Sequence, residues 1–139
     1  NVILRLEGGI LSYLADMDRS NNPYEVGLDW MVDLDQEDDF IGKEALREID
    51  RSGPTKKLMG AEIPGDPITS FNEEHWPVLI DGKKIGSMNA LVYSPRLDKN
   101  IAYTILDIEY AKSGKEITIS SPEKEIVAKT VDLPWLERA

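Results

Sequence analysis

The chain has 139 residues, 41% of them apolar and 30% charged, with a formal net charge of −10. That length suits one domain, or one and a half, with apolar content enough for a sizeable core. No run of 18 apolar residues exists, which excludes a transmembrane helix; the acidic balance argues against binding a phosphate backbone, and the absence of Cys removes disulfides, thiolate metal sites and Cys nucleophiles.

The first residue is Asn rather than Met, and no basic region followed by an apolar core opens the chain. These features point to an excised piece of a longer protein without a secretory leader. Val2 to Leu6 read as a short strand or the end of a helix, because the period is ambiguous over so few residues. Gly8-Gly9 breaks the run, Ile10 to Leu14 is largely apolar again, and Asp16, Asp18 and Arg19 mark a loop. Asn21-Asn22-Pro23 is turn chemistry, and Pro23 also suits the first turn of a helix. Tyr24, Leu28, Met31 and Val32 come next, near helical spacing, with Glu25 placed to favour a helix dipole.

Asp33 to Asp39 carries five carboxylates and reads as a solvated acidic connector. Asp33, Asp35, Glu37 and Glu44 have the spacing of a calcium loop, but Asp38 stands where its sharp turn calls for Gly. Gly42 to Arg51 predicts an amphipathic helix with Ala45, Leu46 and Ile49 inward and Lys43, Glu44, Arg47 and Glu48 outward. Ser52-Gly53-Pro54 ends it and marks a boundary between residues 1–54 and residues 55–139.

The second part reads as strands and tight turns. Lys57 to Ile63 is a strand, and 64–74 a loop. Pro77 to Ile80 and Lys84 to Met88 flank Asp81-Gly82, a favoured hairpin turn. Ala90 to Tyr93 continues the strand until Ser94-Pro95, and three more strands run over Ile101 to Ile108, Glu116 to Ile119 and Glu125 to Val131. Short strands at this spacing predict a mainly β fold, a small closed barrel or a sandwich.

His75 is the single histidine, so a catalytic triad or zinc site lacks partners; beside Trp76 and Pro77 it reads as loop packing. Asp16 and Asp18 are either a carboxylate pair for acid–base work or turn caps. Arg5 stands two residues before Glu7, on the same side if the segment is a strand. It is either half of a structural ion pair or a guanidinium aimed at a planar polar ligand. Trp30, Trp76 and Trp135 read as core or interface residues.

Five segments, in order, resemble the glycine-cleavage T-protein (aminomethyltransferase) family. They are Arg5 to Tyr13, Asn22 to Leu28, Asp39 to Leu46, Asp81 to Gly86 and Tyr93 to Ala102. Within it, Leu11-Ser12-Tyr13, Pro23-Tyr24-Glu25 and Asp132-Leu133-Pro134 resemble the branch of dimethylsulfoniopropionate demethylases.

The resemblance implies a C-terminal piece of a longer enzyme that transfers a one-carbon unit to tetrahydrofolate. It implies a C-terminal Greek-key β-barrel preceded by an α+β tail of a folate-binding domain. Arg5 would contact the folate, with Tyr13 on the same segment, while the catalytic aspartate would lie upstream, so that no catalytic residue stands here. Implied partners are a small-molecule methyl or aminomethyl donor and the upstream part of the same protein, without nucleic acid or membrane, in the cytoplasm. The sequence also departs from the family pattern. Leu14-Ala15-Asp16 replaces Gly-Asn-Asp after Tyr13, Ile68 follows Pro67 where the family has Arg, and Asn89-Ala90-Leu91 replaces Thr-Ser-Gly. The chain stops soon after Trp135, so a late family tyrosine has no counterpart.

Overall fold

A computed structural model describes residues 1–136. Its first element is a helix, α1 (Val2–Glu7), whose N-terminus is capped by Asn1: the side chain accepts from the Ile3 amide at 3.0 Å. The two glycines end it in a Schellman motif. Gly9 takes a left-handed φ of 69°, the Ile10 amide donates to Arg5 O and the Gly9 amide to Leu6 O.

The helix expected over Tyr24–Val32 does not form. Gly27 turns left-handed at φ 72°, and the Leu28 amide closes back on Pro23 O at 2.8 Å. The chain then makes a single 3-10 turn over Asp29–Met31 that leaves Trp30 65% exposed, outside the core.

The next helix, α2 (Lys43–Ser52), forms, but its faces differ from expectation. Lys43 is buried and Ala45 exposed, while Leu46 and Ile49 are half-buried. The reason is the acidic connector. Lys43 Nζ donates to Gln36 O at 2.6 Å and Asp38 O at 3.1 Å, so an ammonium gathers the loop carbonyls from inside. Asp33 accepts the amides of Asp35 and Gln36, and the exposed Glu44 pairs with Arg47 instead of reaching the loop.

The rest is a barrel of β1 (Lys56–Ile63), β2 (Trp76–Ile80), β3 (Lys83–Ser94), β4 (Lys99–Asp107), β5 (Glu116–Ser120) and β6 (Glu125–Val131). The strands are antiparallel and ordered β1-β4-β3-β2-β5-β6, closed because β1 pairs with both β4 and β6. The β2–β3–β4 meander, with β1 beside β4, is Greek-key order. The β2–β3 turn places Asp81 at φ 50° and Gly82 at φ 75°, as a two-residue hairpin with right-handed strand twist requires.

Alternation along β4 shows how the layers stack. Ala102 and Leu106 face the barrel interior with Met59, Met88, Leu91, Ile117 and Ile119. Ile101, Tyr103 and Ile105 face outward, into a second cluster with Leu6, Leu58, Ala90 and Val92. That outer cluster is covered by Ile3 and Leu11 from the first segment and by Leu133 and Trp135 from the last. A strand covered on both faces reads as a continuous apolar run, as Ile101 to Leu106 does apart from Thr104. Trp76 packs against the inner cluster.

Candidate ligand-binding site

The helical form of α1 separates the two charges that a strand would align, since residues two apart on a helix are turned by about 200°. Glu7 points into the protein, 1% exposed, and accepts a hydrogen bond from the Ser94 hydroxyl at the end of β3. Arg5 points the other way, and its Nη1 pairs with Asp16 Oδ2 and lies 3.4 Å from Ile10 O. The ion pair is therefore Arg5–Asp16 and not Arg5–Glu7.

Asp16 is held by the turn after Tyr13. Its amide donates to Ser12 O at 2.9 Å, its Oδ2 accepts the Ser12 amide at 2.7 Å, and Leu14 N–H reaches Met17 O at 2.8 Å. The Asp16 side chain is fully buried, whereas that of Arg5 keeps 20% of its surface in solvent. The carboxylate thus lies behind and the guanidinium in front. Among the described residues no hydrogen bond uses Nη2 or Nε of Arg5, so an edge of the planar donor fork remains for an outside partner. Removing Arg5, the partly exposed member, would strand the buried Asp16 carboxylate, the costly way to break such a pair.

Tyr103 of β4 lies under this group. It is fully buried, its ring centroid is 5.9 Å from Arg5 Cζ, and Trp135 stacks on it at 6.1 Å. Its hydroxyl lies 3.1 Å from Arg5 O, 3.2 Å from Leu6 O and 3.4 Å from Ile10 O, the carbonyls at the end of α1. Burial pushes the phenol's pKa well up; the charge of Asp16 adds to this and that of Arg5 opposes it. Tyr103 therefore stays a neutral donor.

Asp16 and Asp18 do not act as a pair. Asp18 is at the surface, where its carboxylate accepts from the Ser20 hydroxyl and amide; those bonds, then the nearby His75, hold its pKa below the usual value. His75 is exposed, and its Nε2 lies 2.8 Å from Ala15 O, so that nitrogen must carry the proton. It pins the 64–75 loop to the Asp16 turn. A cleft of about 230 Å³ opens beside that turn, with Lys56, Lys84 and Asn89 on its wall. Tyr13 is 54% exposed and takes no part in the ion pair.

Sequence reasoning misses Asn89 as a site residue. It occupies a bulge between Met88 and Ala90, where its Nδ2 donates to Asp16 O at 2.9 Å and its Oδ1 accepts from Ser87. An amide inside an apolar run (Met88, Ala90, Leu91, Val92) is the signal that could have marked it. Tyr103 gives no comparable signal, because an aromatic residue in a central strand is ordinary.

Fold and site together define a closed Greek-key barrel module that carries an arginine-bearing helix on its outer face. Known proteins place it further. Residues 56–137 match the glycine cleavage T-protein C-terminal barrel domain. The chain is 35% identical over 136 residues to an aminomethyltransferase of Parasynechococcus marenigrum, covering 98% of this chain and 36% of that protein. It is 37% identical over 133 residues to an aminomethyltransferase of Herpetosiphon aurantiacus, covering 95% and 36%. The crystal structure of glycine cleavage system aminomethyltransferase T from Bartonella henselae shares the fold, with a TM-score of 0.83 at 21% identity over 96% of this chain and 37% of that one. The chain belongs to the glycine cleavage T-protein family, and it spans about a third of the length of the curated relatives it matches.

Proposed function

We propose that this chain is the C-terminal part of a tetrahydrofolate-dependent transferase of one-carbon groups, with an aminomethyl group as the leading cargo. The observation that carries the reading is the similarity to aminomethyltransferases over 98% of the chain, which includes the Arg5 segment ahead of the barrel match. In this reading residues 1–54 are the tail of the folate-binding domain and residues 55–139 the barrel. The protein works in the cytoplasm, and the remainder of the parent packs on the Arg5 side.

The donor set is compatible with folate. A guanidinium backed by a buried carboxylate, with a fifth of its side chain in solvent, suits a planar polar edge or a carboxylate. Arg5 holds the folate, and the exposed Tyr13 offers a phenol on the same segment. When bound, tetrahydrofolate supplies the acceptor for the one-carbon unit. The protein's own part is to fix the acceptor against the donor. The catalytic group belongs to the upstream part, so this piece alone is inactive.

The replacements at Leu14-Ala15 and Asn89 flank the Asp16 turn, and these departures from the family pattern are the ground for a second reading, with dimethylsulfoniopropionate as the donor. The test uses the full-length parent with tetrahydrofolate and, separately, an aminomethyl donor and dimethylsulfoniopropionate, then mass spectrometry of the folate. Methylenetetrahydrofolate supports aminomethyl transfer, and methyltetrahydrofolate supports demethylation. Folate binding without either product moves the reading to a non-catalytic folate module, and no folate binding overturns it. Arg5→Ala in the parent is expected to weaken folate binding about tenfold, the ~1.4 kcal/mol scale of one charge-assisted hydrogen bond.

A further inference from the structure

We propose that Tyr103 is a positioning residue for ligand binding: from the barrel, touching no ligand itself, it sets the direction of the Arg5 guanidinium. The inference rests on the reading that Arg5 holds the folate.

Three contacts carry it. The Tyr103 hydroxyl sits among Arg5 O, Leu6 O and Ile10 O, so one side chain fixes the end of α1 from which the Arg5 side chain departs. Its ring supports the guanidinium face at 5.9 Å. Asp16, which fixes Nη1, is itself tied to the barrel through Asn89 at 2.9 Å. Backbone origin, face and one edge of the guanidinium are therefore all set by contacts that trace to β3 and β4.

A structural role alone does not predict this convergence. α1 is already closed by Asn1 and by the Gly9 turn, and Leu6 and Ile3 anchor it on the outer cluster. The hydroxyl adds orientation to a helix that has its own caps. Tyr103 is fully buried, so its hydroxyl touches no ligand and acts only through the segment it holds, on which Arg5 stands.

The experiment is a double-mutant cycle in the full-length parent. Folinic acid, a stable reduced folate, is titrated calorimetrically into the wild type, Tyr103→Phe, Arg5→Ala and the double variant. Phe keeps the ring and its stacking and removes only the hydroxyl. The expected result is about fivefold weaker binding for Tyr103→Phe with Arg5 present and no further loss once Arg5 is Ala. In the ligand-free protein, the Arg5 Nε–H resonance of Tyr103→Phe is expected to shift or broaden, which a general loss of stability would not produce on its own. Asp16→Asn serves as a second variant, with the same dependence on Arg5, should Tyr103→Phe fold poorly.

Equal losses in both Arg5 backgrounds, or unchanged affinity in Tyr103→Phe, overturn the inference and leave the role of Arg5 standing. Unchanged affinity in Arg5→Ala overturns the role of Arg5 and this inference with it.

Discussion

Leu14 adopts φ 72°, a left-handed conformation that costs a side-chain-bearing residue about 1–2 kcal/mol. The family pattern has glycine at this position, and the structure shows why: the turn that buries Asp16 is built from Leu14 N–H on Met17 O and Asp16 N–H on Ser12 O. The Leu14 side chain is 74% exposed, so its removal forfeits little burial. Leu14→Gly is therefore expected to stabilise the protein by ~1 kcal/mol, after the glycine's extra chain entropy is subtracted, read as a rise in thermal midpoint. Single residues are the least legible scale in the sequence. Arg5 stands out as a charge beside an apolar run, but Asp16 is 11 residues away and Tyr103 nearly 100, and spacing carries no information about such pairs. Lys43 defeats the helical pattern for a related reason. A lysine on a helix normally faces water, and the carbonyls of Gln36 and Asp38, with the Phe40 ring centroid 5.8 Å from Nζ, explain its burial.

Elements are legible where local chemistry and tertiary demand agree. The Asp81-Gly82 hairpin, the break at Ser94-Pro95 and the β5–β6 turn at Ser121–Lys124 stand where turn chemistry predicts. The Tyr24–Val32 segment has helical spacing, yet Gly27 gives the chain a cheaper route into a turn. The glycines of the Asp81–Gly86 motif do two different jobs. Gly82 supplies the positive φ of the turn, whereas Gly86 allows β3 to approach β4 closely. A Cβ on Gly86 would lie 2.0 Å from Ile105 O, a backbone atom that no rotamer change can move. Gly86→Ala is thus expected to destabilise by about 3 kcal/mol, measured by denaturant or thermal unfolding; a loss under about 1 kcal/mol would show that the strands can part without penalty.

At the scale of the whole molecule, the barrel is unevenly fastened. β4 is bonded along nearly its full length, from Lys56–Asp107 to Ile63–Asn100 on one side and from Gly86–Leu106 to Ser94–Lys99 on the other. The β5–β6 hairpin is held by two narrow seams: Val78–Ile119 and Leu79–Thr118 to β2, and Gly60–Val131 to Glu62–Lys129 to β1. Native-state hydrogen exchange is expected to show seam amides exchanging well before those of β4, in the order that local opening dictates. Uniform protection around the ring would contradict this. A closed barrel is legible in the sequence as one of two outcomes, but its outer cluster is not, because alternation shows that a strand is covered without showing by what.

The uneven fastening makes the β5–β6 hairpin the part of the ring with the shortest strand pairing to its neighbours. Were the ring to open at its two seams, β5–β6 would leave still paired through Glu116–Lys129 to Ser120–Glu125, drawing Ile117, Ile119, Ile126 and Ala128 out of the inner cluster. The raw edges of β1 and β2 would then be exposed, and a neighbouring copy's hairpin has the sequence to fit them. Crowded, partly opened molecules would thus trade hairpins rather than tangle at random.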